Sequence, residues 1–194
     1  MKTALGVAGA ILVAAFLGMA ITSRAGEGAG DASLAQALKQ AQLPLERGLA
    51  ASTREGKPIS AKYELEDDDA DELQLSVYTM KEADPVVDFE TGDVTAGRPS
   101  FAEVIVDYTT AKIVKVIPIK DGEDLVAARN QSKAMANARR SLEAATARAV
   151  SAHAGYRAVS ATPDLKDGHP VAKVLLLGGS DWMTVYETLD QEAP

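Results

Sequence analysis

The residues that could do chemistry are few and lie far apart. Glu66 to Glu72 (EDDDADE) carries six carboxylates in seven positions. Calcium is held by clusters of oxygen ligands, so the run is a candidate cation loop. EF-hand spacing is absent: there is no glycine at the sixth place and no distal glutamate. A solvated hairpin loop is the better reading, because blocks of like charge repel and stay wet. His153 and His169 are the only histidines. Neither has a partner four residues on or a cysteine nearby, so both read as surface or strand-edge residues, not metal ligands. No G-x-S-x-G elbow supports a Ser-His-Asp triad. Gly178-Gly179-Ser180 lacks the lysine and the following helix of a phosphate cradle, and reads as a hairpin turn. Tyr78, Tyr156, Trp182 and Tyr186 could line a peptide groove, since Trp and Tyr concentrate at binding surfaces. They also suit an ordinary sheet face packed on a core. No catalytic residue, metal ligand or cofactor is assigned.

Composition narrows the setting. The 194 residues contain no cysteine, which excludes disulfides, thiol catalysis and Cys-based zinc sites. Thr3 to Ser23 has no charged residue and follows Met1-Lys2; Ser23-Arg24-Ala25 then has small residues at its first and third positions. A basic start, an apolar core and a small-x-small site form a secretory signal with a cut after Ala25. At ~1.5 Å per helical residue the stretch also comes close to the ~30 Å of bilayer hydrocarbon. An uncleaved inner-membrane anchor over residues 3–23 is therefore the alternative. The chain carries 20 Lys+Arg against 28 Asp+Glu, and losing Lys2 and Arg24 leaves a net charge of −10. So acidic a surface repels phosphate backbones and disfavours nucleic acid as a partner. An exported chain without disulfides fits a bacterial periplasm.

Periodicity then sketches the elements. Gly26 to Gly30 reads as a linker, and Ser33 to Gln42 as a short helix. Pro44 suits the first turn of a helix running to about Arg54, ended by Gly56. Ile59 to Leu65 and Leu73 to Met80 alternate as strands. Residues 81 to 100, rich in Pro, Gly and Asp, read as a surface excursion. Phe101 to Tyr108 and Ile113 to Ile117 are the next strands. A single long helix is expected from about Glu123 to Ala152, with Met135, Ala138, Leu142, Ala145 and Ala149 as its apolar stripe. Tyr156 to Thr162, Val171 to Leu177 and Met183 to Leu189 close the chain as three strands. The expected fold is α+β: two units of one helix and a three-stranded antiparallel sheet, packed together behind an N-terminal apolar helix. The boundaries are 1–25 for signal or anchor, 26–43 for linker and short helix, 44–120 for the first unit and 121–194 for the second.

This arrangement resembles the PepSY domain, a small α+β module of exported and membrane-attached bacterial proteins. Pro44 to Leu49 looks like the start of the family helix, and Lys57 to Leu65 like its first strand. Val104 to Ile113 resembles the closing strand and V-D-x-x-T-G-x-V turn, carried here by Val106, Asp107, Thr110 and Ala111. Ala111 departs from the family glycine, which tolerates positive φ. Ser141 to Ala145 and His169 to Val174 are a weaker second copy, and Val185 to Asp190 lacks the Thr-Gly turn. Val87 to Val94 resembles the same closing motif nineteen residues earlier, with its glycine intact; the plain reading is a chance turn in a loop.

The resemblance implies a non-catalytic envelope module that binds a peptide or inhibits a peptidase. Its partner would be a protein or peptide of the cell envelope, with membrane contact only through an uncleaved N-terminal helix. Two alternatives stand beside it: a membrane-tethered accessory subunit of an envelope complex, and a carboxylate-based hydrolase.

Overall fold

Strict alternation along the strands gives the sheet one apolar and one polar face. In β2 (Asp69–Lys81), Leu73, Leu75 and Val77 point to one side, and Gln74, Ser76 and Tyr78 to the other. The computed structural model describes residues 27–66, 69–95 and 97–190. Besides β2 these hold α1 (Glu27–Ala37), α2 (Leu45–Ser52), β1 (Lys57–Glu66), β3 (Val86–Val87), β4 (Val94–Thr95), β5 (Ser100–Val106) and β6 (Ile113–Ile119). They continue with α3 (Gly122–Met135), α4 (Leu142–Ala152), β7 (Arg157–Lys166), β8 (His169–Gly178) and β9 (Asp181–Thr188).

Seven strands form one antiparallel sheet in the order β6-β5-β2-β1-β7-β8-β9, and β3 and β4 form a separate small hairpin. The expectation of two packed three-stranded units is therefore corrected. The halves do not stack. They join edge to edge, with β1 pairing β7 through Ala61↔Ala161 and Lys62↔Ser160. Such a joint satisfies the backbone groups of two edges at once. It also leaves both apolar faces on the same side, where one layer of helices covers them. The first half supplies four strands to this sheet, not three. The expected N-terminal apolar helix lies outside the described residues. Among the described residues, no helix is long and apolar enough to cross a membrane.

The apolar side carries α1, α2 and α4. Leu45 and Leu49 of α2 and Leu142, Ala145 and Ala149 of α4 are fully buried against Leu75, Val77, Val104, Val174 and Leu176. Gly48 lets α2 sit close: a Cβ there would lie 2.6 Å from Leu75 Cδ2. The polar side is crossed by α3, tied down where Ser60 Oγ donates to Gln131 Oε1 at 2.9 Å.

The long helix expected over 123–152 is also two helices. Of the expected stripe, Met135 ends α3, Ala138 falls in the connection, and Leu142, Ala145 and Ala149 lie on α4; the two helices pack on opposite faces of the sheet. Between them Arg139 N–H and Arg140 N–H donate to Leu189 O at 2.7 and 3.0 Å, and Ser141 Oγ caps α4 by accepting from Ala144 N–H at 3.1 Å. A side-chain N-cap of this kind starts a helix afresh.

The two halves share local details. Gln42 N–H and Leu43 N–H donate to Tyr108 O at 3.1 and 2.8 Å just before α2, as Arg139 and Arg140 do to Leu189 O just before α4. Register shifts fall between Pro58 and Ser60 on β1 and between Ala158 and Ser160 on β7. Following these correspondences outward, β9 stands in the second half where β5 stands in the first, with Val185 against Val174 as Val104 is against Val77.

Candidate functional site

Matching the halves exposes one difference. The outer side of β5 is occupied by β6, from Phe101↔Ile119 to Val106↔Ile113. The outer side of β9 has no strand partner among the described residues. Both β6 and β9 are thus edges of the sheet, but they are built differently.

Edge strands expose a row of N–H and C=O groups that invite pairing, and proteins blunt them with proline, lysine, bulges or shortness. Strand β6 has Pro118, Lys115 and a register shift against β5 between Ile105 and Val106. Strand β9 has none of these. Its eight residues pair with β8 without a shift, from Val171↔Thr188 to Gly178↔Asp181. Its only charges, Asp181 and Glu187, lie near its ends, and Trp182 to Tyr186 is an uncharged run. Strand β9 is placed by a tight hairpin in which Gly179 takes φ 64°. On the apolar side Glu187 is held by Arg148 of α4, Nε to Oε2 at 3.0 Å.

The aromatic candidates distribute unevenly around this edge. Trp182 and Tyr186 share the polar side of β9, opposite Leu177 and Lys173. Tyr186 is 51% exposed, with the Lys166 ammonium 5.3 Å from its ring centre. Tyr156 lies at the end of the same hairpin, its ring against Gly178, where a Cβ would come within 2.8 Å. Tyr78 is in the other half, half-buried on the polar side between Lys62 and Glu103. The four therefore do not make one groove; Trp182 and Tyr186 alone mark the β9 edge.

The V-D-x-x-T segment forms a turn at Asp107. Its Oδ1 accepts from Thr109 N–H at 2.9 Å, Thr109 Oγ1 at 2.6 Å and Thr110 N–H at 2.7 Å. These bonds hold the carboxyl far below the ordinary aspartate value. Ala111 occupies φ 62°, a left-handed conformation that favours glycine. The earlier motif copies the backbone bonds of this turn, without the Thr109 hydroxyl bond, since Glu90 stands at that place. Asp88 Oδ1 accepts from Glu90 and Thr91 N–H, Asp88 N–H donates to Asp93 O as Asp107 N–H does to Lys112 O, and Gly92 stands at φ 77°. Val87 to Val94 is thus a turn in a surface excursion, as read from the sequence, with the geometry of the Asp107 turn. The hairpin it closes is open to solvent, with Phe89 96% exposed.

Two other clusters hold unusual groups, and nothing in the sequence pointed to them. Arg157 Nη1 donates to Leu38 O and Ala41 O at 2.9 and 3.0 Å, and Nη2 to Leu43 O at 3.1 Å. This guanidinium lies 5.4 Å from the Tyr63 ring centre and pins the end of α1 to the sheet. Burial pushes the Tyr63 phenol up to about 12. The adjoining cleft of about 230 Å³ is lined by Pro44, Glu46, Val150 and Arg157. There Glu46 Oε2 is buried without a hydrogen-bond partner among the described residues. The guanidinium is already committed to three carbonyls, which leaves Glu46 and Gln42 as the other polar side chains lining the cleft.

On the polar face, Glu103 accepts from Ser76 Oγ at 2.7 Å. Burial raises its carboxyl above the ordinary glutamate value; Glu64 and Asp124 add to the rise, while Ser76 and Lys62 oppose it. A hydrolase would need paired carboxylates in a cleft; none of these three acids lines the cleft at Glu46 or the one between Leu49 and Met135. Among the described residues no group of His, Asp and Glu could hold a metal ion. His169 instead pairs with Asp190 at 2.8 Å. No known family, curated protein or solved structure matches the chain.

Proposed function

We propose that this chain is a non-catalytic binding module of the bacterial envelope that takes up an extended strand along β9. The carrying observation is the unprotected edge: eight residues in continuous register, no proline or lysine in the strand, and, among the described residues, no fourth strand where the first half has β6. Main-chain pairing to such an edge gives affinity, and side chains at alternate positions give selectivity. Trp182 and Tyr186 are those side chains on the polar side. The secretory signal up to Ala25 and the PepSY-like sequence support the envelope setting. Mass spectrometry of the native N-terminus distinguishes a chain starting at Gly26, free in the periplasm, from one starting at Met1, anchored.

The site is tested with two proline variants, Thr184→Pro and Val185→Pro. Consecutive N–H groups on a strand point to opposite sides, so one variant removes an outward N–H and the other a bond to β8. The variant that keeps the wild-type melting temperature is the edge-blocked form. Partners retained from envelope extract by the wild type should be lost with it. Equal retention by both forms would show that binding lies elsewhere.

A further inference from the structure

The composition of β9 points to what pairs with it. An antiparallel partner places directly opposed residues on the same face of the sheet. Pairing two copies of β9 about Thr184 puts Trp182 opposite Tyr186 of the second copy, and Tyr186 opposite its Trp182, both on the polar side. Thr184 meets Thr184, and on the apolar side Met183 meets Val185 twice. Aromatic pairs and Thr–Thr pairs are among the cross-strand combinations that stabilise sheets. The strand is thus complementary to itself in one register. Shifting the axis by one residue, to Val185, sets Trp182 against Thr188 and Met183 against Glu187, and this complementarity disappears.

That register sets two acids side by side, with a cation next to them. Asp181 of the second copy arrives beside Glu187, whose carboxylate is already held by Arg148 at 3.0 Å. Arg148 remains 57% exposed and can serve both acids. The molecule also contains an edge-to-edge joint of this kind: β1 and β7 meet antiparallel about Ala61↔Ala161. From these observations we infer that the strand seated on β9 is β9 of a second copy, giving a two-fold dimer with one continuous sheet of fourteen strands. This rests on the reading that β9 accepts a strand, and it names the partner.

Sedimentation velocity on the full chain tests it with opposed charges at the axis. Thr184 is exposed, so charged replacements leave the monomer fold intact. Thr184→Lys and Thr184→Asp should each be monomeric at concentrations where the wild type is dimeric, because like charges then face each other across the axis. Mixed one to one, they should dimerise again, a rescue that only pairing through Thr184 produces. Trp182→Ala, which removes two aromatic pairs, should weaken the dimer roughly tenfold. Dimers in both single-charge variants, or no rescue on mixing, overturn the inference. So does a monomeric wild type, and a synthetic peptide of residues 181–188 then separates the two claims. Protection of the β9 amides by that peptide leaves the strand-acceptor reading standing; unprotected amides remove both.

Discussion

The two ends of the sheet start from corresponding strands and finish differently. At one end β5 runs into the Asp107 turn, and the chain folds back as β6 to cover it. At the other, β9 ends at Thr188 and Leu189, whose carbonyl caps the backbone ahead of α4, and no further strand is added among the described residues. Glu103 and Thr184 occupy corresponding positions, one step before Val104 and Val185. Glu103 lies between β2 and β6, paired with Tyr78 and Ile117, and half-buried. Thr184 lies on the open side of β9, exposed. The same position in the same kind of strand is thus an interior site at one end and an exposed edge site at the other. The turn at Asp107 is what brings β6 back over the first edge.

The strongest test of the comparison addresses the joint between the halves. Leu45 and Leu142 hold equivalent first-turn positions in α2 and α4, both essentially fully buried. Truncating either to alanine should cost about 2–5 kcal/mol. Because β1 and β7 make one sheet, each variant should lower a single transition, with far-ultraviolet dichroism and Trp182 fluorescence changing together. A variant that melts its own half and spares the other would show that the joint is weak.

A smaller effect concerns the turn itself. Ala111 is held at φ 62°, where a Cβ is crowded against its own backbone. Ala111→Gly should stabilise the β6 end by about 0.5–1 kcal/mol, seen as slower amide exchange in β6. The converse change in the exposed copy, Gly92→Ala, meets no atom within 4 Å and should loosen that hairpin alone.

The smallest effect is a pH dependence that one half has and the other lacks. Burial raises the Glu103 carboxyl above its ordinary 4.5, so the folded value exceeds the unfolded one. The stability this group contributes is complete below 4.5 and is lost as pH rises through the folded value. Glu103→Gln should therefore be near neutral in acid and stabilising at pH 7, measured by urea unfolding at both pH values. Thr184→Gln should show no such pH dependence.

Much of the local plan was legible in the residues. Alternation located the strands of the sheet to within a few residues, and Gly178-Gly179-Ser180 marked the hairpin that joins β8 and β9. The V-D-x-x-T pattern located the Asp107 turn. The break between α3 and α4 was not legible, since Met135, Ala138, Leu142, Ala145 and Ala149 keep helical spacing across it. Ser141 was the available signal, a capping residue inside an apolar stripe. Tyr78 and Tyr156 could not be sorted from Trp182 and Tyr186, because a sheet aromatic has the same spacing whether it is covered or bare.

Sequence alone therefore determined the strands of the sheet, the alternation of the two faces and the absence of thiol chemistry. All of these are properties of neighbouring residues. Tertiary structure decided that the halves join into one sheet, that two helix segments with a common stripe go to opposite faces, and that β9 is left as an open edge. Those outcomes depend on which backbone N–H and C=O groups find partners far along the chain. Every non-proline residue carries the same donor and acceptor, so side-chain pattern cannot reveal that choice.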